Sequence, residues 1–67
     1  MSNFNLSLVE WSQVEGRMYA VTLLQKGVAR AEALERASRY AKHLLLPDAA
    51  AEAFWNGAYD LYEEGVS

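Results

Sequence analysis

The sequence has no cysteine and a single histidine, His43. Disulfide staples and thiolate metal sites are therefore excluded, and a histidine-rich metal cluster with them. One proline, Pro47, and four glycines leave little punctuation. No run approaches the roughly 18 apolar residues of a membrane span. Met1 to Asn5 carry no basic segment leading into an apolar one. No secretory signal is therefore expected, and the cytoplasm is the expected compartment. Gly-rich phosphate loops, H-E-x-x-H helices and acidic calcium loops are also missing. After Lys42 there is no lysine or arginine.

Hydrophobic residues make up 52% of the chain, and the formal net charge is -3. That is too apolar for intrinsic disorder and too acidic for a generic nucleic-acid binder. The 67 residues bound a single domain, residues 1–67. A domain of this size buries only about 60% of the surface its unfolded chain exposes. With disulfides and metals removed, helix packing or self-association has to supply the remaining stability. Charge is segregated along the chain. All six basic residues lie between Arg17 and Lys42, with only Glu32 and Glu35 among them, whereas five acids and no base follow Leu44. Such asymmetry bears on partners and not on fold.

Gly27, Pro47 and Gly65 divide the chain into three pieces of helical length. The first helix is expected over about residues 8–26. Ser7-Leu8-Val9-Glu10 has the S-x-x-E spacing of a capping box, and Leu6 and Trp11 hold the two positions of a hydrophobic staple. Trp11, Val14, Met18 and Val21 recur at helical spacing. Lys26 falls in the last turn, and Gly27 suits a left-handed C-terminal position. Two features argue against this helix. Gly16 inside it costs about 1 kcal/mol relative to alanine, and Arg17 to Leu24 is rich in residues that suit a strand. A β-hairpin turning near Glu15-Gly16, followed by two helices, is the competing reading.

The second helix is expected over about residues 28–45, before Pro47 discourages continuation. Ala33, Leu34, Ala37, Ala41, Leu44 and Leu45 share one face, and Glu32, Glu35, Arg36, Arg39, Lys42 and His43 share the other. The third is expected over about residues 48–64, opened by Pro47-Asp48 and closed by Gly65. Its core stripe is Ala50, Phe54, Ala58 and Leu61, and Trp55, Tyr59 and Tyr62 form a second stripe about 100° away. Three amphipathic helices with short connections make an all-α, compact three-helix bundle. Its marginal core and the wide apolar arc of the third helix predict a homodimer through aromatic and alanine-rich faces.

Catalysis is not expected. A bundle this small has little room for a cleft that shifts pKa values. The one histidine, His43, is five residues from Ser38 and falls on a different part of the helix, so no nucleophile–base pair forms. No catalytic residue, metal ligand, cofactor or small-molecule substrate is assigned. His43 reads as a residue near the C-terminal end of a helix, where a cation is mildly favoured.

Two surfaces point to binding instead. Trp55, Tyr59 and Tyr62, spaced i, i+4, i+7, are the residue types that dominate hot spots; the bland reading packs them in the core. Glu63 and Glu64 sit at a helix C-terminus, where the dipole disfavours negative charge, and Asp60 and Glu64 repel four residues apart. No base in that helix compensates. Glu52, Asp60, Glu63 and Glu64 are therefore expected to meet a basic surface on a partner, unless they belong to a solvated terminus. The resulting expectation is a small acidic protein–protein interaction module, an adaptor or inhibitor. Its occlusion of a basic nucleic-acid-binding site on a host protein, as virus- or mobile-element-encoded chains do, is a general expectation. The alternative is a small dimeric helical DNA- or RNA-binding regulator using Arg36, Arg39, Lys42 and His43. Glu32 and Glu35 precede Arg36 and Arg39 by four residues, the favoured order for ion pairs along a helix, and so count against it. A structural subunit of a larger assembly is a third option.

Overall fold

The computed structural model describes residues 7–65. Three helices follow one another: α1 (Leu8–Gln25), α2 (Arg30–His43) and α3 (Asp48–Gly65). Residues 17–24 are helical within α1, and no strand occurs among the described residues. The bundle is all-α.

The ends of α1 follow from local chemistry. The Glu10 N–H donates to Ser7 Oγ at 3.1 Å, and the Ser7 N–H donates to Glu10 Oε1 at 3.0 Å, a complete capping box. The staple between Leu6 and Trp11 lies outside the described residues. At the other end Gly27 has φ 79°, which only glycine adopts without strain. There the Val28 N–H donates to Leu23 O and the Gly27 N–H to Leu24 O, both at 3.0 Å. Two carbonyls that the helix end would orphan are thereby satisfied.

The second helix is shorter than expected, starting at Arg30 and ending at His43. Its N-cap, Ala29, has no side chain that could accept a free N–H. Its C-terminus repeats the closure of α1: the Leu46 N–H donates to Ala41 O at 3.3 Å and the Leu45 N–H to Lys42 O at 3.0 Å. Here the left-handed position is held by Leu45, with φ 59°. This corrects the expected apolar face of α2. Ala33, Ala37 and Ala41 are buried and Leu34 is partly buried, but Leu44 is 37% exposed and Leu45 88% exposed. The reversal of chain direction after Leu44 turns both leucines away from the core.

The helices run up, down and up, so α1 and α3 are parallel: Gly16 lies against Phe54, and Leu24 against Gly65. Most interhelical packing is between these two, and α1 and α2 touch least. The core is built from small side chains, with Phe54 and Tyr62 its two large fully buried ones. The Tyr62 hydroxyl donates to Val28 O at 2.9 Å and so fastens α3 to the loop between α1 and α2.

The inward side of α1 is not the side its large apolar residues mark. Ser12, Gly16, Ala20 and Leu23 are buried. Trp11, Val14, Met18 and Val21, at the helical spacing noted above, are between 37% and 59% exposed. The reason is the approach of α3. A Cβ on Gly16 would lie 1.9 Å from Phe54 O, and one on Gly57 would lie 2.1 Å from Gln13 O. Backbones that close accept only small side chains between them. Gly16, a liability by helix propensity, is a requirement of packing. Ser12 Oγ is buried there with no hydrogen-bond partner among the described residues.

Candidate interaction surface

The exposed apolar residues of α1 recur every three to four positions and so form one stripe along the helix. It continues onto α2. Because α1 and α2 are spread apart, an open groove of about 460 Å³ runs between them, lined by Trp11, Met18, Tyr19, Tyr40, Leu44 and the buried Phe54. Tyr19 and Tyr40 hold the groove together by stacking, with centroids 4.7 Å apart and planes 1° from parallel. Each also tilts against Phe54, at 5.7 and 5.8 Å. Tyr40 in turn stacks on His43 at 6.3 Å.

A separate, more open hollow shares Tyr19 and Tyr40 with this groove and is otherwise lined by Arg36, Arg39 and His43. Arg36 is in close contact with Glu32. Arg39 stands 4.0 Å from Glu35, with both side chains 69% exposed. Such exposed pairs contribute little to stability. The fourth residue of the basic face, Lys42, borders a different hollow, with Ser38, Ala51, Glu52 and Trp55.

The residues expected to form an aromatic stripe on α3 are divided by the structure. Trp55 and Tyr59 stack at 5.3 Å and remain partly accessible, with Arg30 lying 5.9 Å over the Tyr59 ring. Tyr62 is only 2% exposed and belongs to the core. It lies nearly two turns along the helix from Trp55 and on nearly the same side, where the loop at Val28 meets it.

The acidic residues divide as well. Glu64 accepts a forked pair of hydrogen bonds from Arg17 on α1, at 2.5 and 3.3 Å. This hydrogen bonding, and then the guanidinium charge, holds the Glu64 carboxyl below the usual carboxylate range and raises Arg17. Glu63 pairs with Arg30 at the start of α2. The acids that break the dipole rule within α3 are thus answered by bases from the other two helices, a compensation that no reading of α3 alone reveals. Glu52 and Asp60 are exposed.

Among the described residues no group of three or more His, Asp or Glu side chains is placed to hold a metal ion, and no helix is long and apolar enough to cross a membrane. The outward stripe and the α1–α2 groove were missed by sequence reasoning. The residues of the stripe were visible by their spacing, but their direction was not. Compared with known proteins, the chain matches no family model, no curated sequence and no solved structure.

Proposed function

We propose that this chain is a protein-interaction module, an adaptor or inhibitor, that holds its partner through the outward apolar side of α1 and the adjoining groove. The observation that carries this reading is the exposure of Trp11, Val14, Met18 and Val21 on one helix. Burying a large apolar side chain is worth roughly 1.5–3 kcal/mol, and contiguous apolar patches of this kind mark interaction sites. Tryptophan, tyrosine and methionine are also the residues enriched in interface cores. The stacked Trp55–Tyr59 pair, with Glu52 beside Trp55, is a second and smaller contact area in this proposal.

A homodimer could use the same side of α1 or the Trp55–Tyr59 pair. The alanine face of α2 is already spent inside the bundle, since Ala33, Ala37 and Ala41 are buried. The nucleic-acid alternative is weaker because Glu32 and Glu35 accompany Arg36 and Arg39 on the basic face.

The test is site-specific photo-crosslinking in cells that make the protein. A crosslinker replacing Met18 should give one discrete protein adduct, and one replacing the exposed Glu35 should not. Adducts to nucleic acid, or equal and diffuse labelling from both positions, would reject the proposal.

A further inference from the structure

Resting on that reading, we infer that the partner places a basic side chain, arginine or lysine, in the α1–α2 groove against Glu15. Three observations lead there. First, the groove has one charged lining residue, and it is an acid. Glu15 stands there among Trp11, Met18, Tyr19, Tyr40 and Leu44.

Second, nothing in the described chain answers that acid. Of the nine acids in the sequence, Glu15 alone is partly buried and all the others are exposed. Its carboxylate makes no ion pair or hydrogen bond among the described residues. One turn away on α1 stand Trp11 and Ser12 on one side and Met18 and Tyr19 on the other. No base on α1 therefore has the spacing at which helix neighbours pair with it. Arg36, Arg39 and His43 line the separate hollow, and the two arginines there have Glu32 and Glu35 beside them. A wholly apolar occupant would cover Glu15 and strand its charge, which is costly unless the charge is paired. An acidic occupant would repel it, and a basic one satisfies it.

Third, the walls suit both parts of a basic side chain. Trp11, Tyr19 and Tyr40 bring three aromatic rings to the groove. Ring faces attract ammonium and guanidinium groups within about 6 Å. The methylene stem behind the charge packs on apolar surface, which Met18 and Leu44 supply. The chain holds a cation of its own in this way: Arg30 lies 5.9 Å over the Tyr59 ring and pairs with Glu63. A guanidinium in such a place stacks on a ring and donates to a carboxylate at once.

Short displayed peptides test this. Each carries apolar residues on both sides of a central position varied among arginine, lysine, glutamine, leucine and glutamate. The full chain is the bait, beside Glu15→Gln, Glu15→Lys and a Trp11→Ala, Met18→Ala double variant, each checked for native helicity. The wild-type chain should enrich arginine or lysine over glutamine at the central position by about tenfold or more. Glu15→Gln should lose that preference while still retaining peptides, and Glu15→Lys should turn it toward glutamate. Retention without a basic preference, or a basic preference that survives either substitution, would overturn the inference and leave the interaction reading standing. No retention above the double variant would overturn both. A wild-type dimer that the double variant makes monomeric would also overturn the inference, because a second copy would then fill the groove.

Discussion

Gly16 rests against the backbone carbonyl of Phe54 so closely that a Cβ at position 16 would lie 1.9 Å from the oxygen. Gly57 makes the reciprocal approach to the Gln13 carbonyl, at 2.1 Å. Both obstacles are backbone, which cannot rotate away. Gly16→Ala gains about 1 kcal/mol of helix propensity, but it must push two helices apart. We expect a net loss of about 2–3 kcal/mol, the upper part of the usual overpacking range. Equilibrium urea denaturation checks it, and a variant as stable as the wild type would refute the close approach.

Leu45 provides the opposite case. It occupies a left-handed conformation at φ 59° and is 88% exposed, so it carries strain with almost no packing in return. The left-handed region costs a non-glycine residue roughly 1–2 kcal/mol. Leu45→Gly should therefore stabilise the fold by about 1 kcal/mol, which for a domain of this size raises Tm by about 4–8 °C. A lower Tm would mean that Leu45 makes a contact the fold needs.

Tyr62→Phe should cost about 1–2 kcal/mol, because it leaves the Val28 carbonyl without its donor. The hydroxyl also sets an alkaline limit. Burial raises its pKa above that of an exposed tyrosine. Its contribution is therefore whole below the unfolded value, about 10, and is lost as pH rises through the folded value. Denaturation midpoints of the wild type should fall more steeply than those of Tyr62→Phe above about pH 10.

The Arg17–Glu64 pair titrates in the other direction. Glu64 has a folded-state pKa below its unfolded one, so its stabilisation is present above the unfolded value. It is lost as pH falls through the folded value. The midpoints of wild type and Glu64→Gln should therefore converge as pH falls below the unfolded value, about 4.3. Because both side chains are exposed, the gap at neutral pH should also narrow in 1 M salt, where the Debye length is about 3 Å.

These contrasts show which parts of the fold were legible in the sequence. The capping box at Ser7 and the left-handed closure at Gly27 are local, and both were readable from a few adjacent residues. The core faces of α2 and α3 were readable in part: Ala33, Ala37 and Ala41, and Ala50, Phe54 and Ala58, are buried as their spacing suggests, whereas Leu44 and Leu45 are exposed, Leu61 is only partly buried, and Ala53, Gly57 and Tyr62 are buried instead. The direction of α1 was not. It carries a small-residue stripe and a large apolar stripe on opposite sides, and periodicity alone favours the larger residues. Only the approach of α3 selects Ser12, Gly16 and Ala20 as the inner side. The same limit applies to Glu63 and Glu64, whose partners lie in other helices, and to Tyr62, which a neighbouring loop covers. Leu45 was misassigned because extending α2 by two residues keeps it in phase with the alanines.

Since the inner side of α1 is specified by residues with almost no side chain, its outer side is free of most folding constraints. Position 18 can change size, polarity or charge without disturbing the contact at Gly16. Two kinds of information are thereby written on one helix, and they can vary separately. If that outer side binds a partner as proposed, substitutions at 14, 18 and 21 could exchange one binding preference for another with no intermediate forced through an unstable fold.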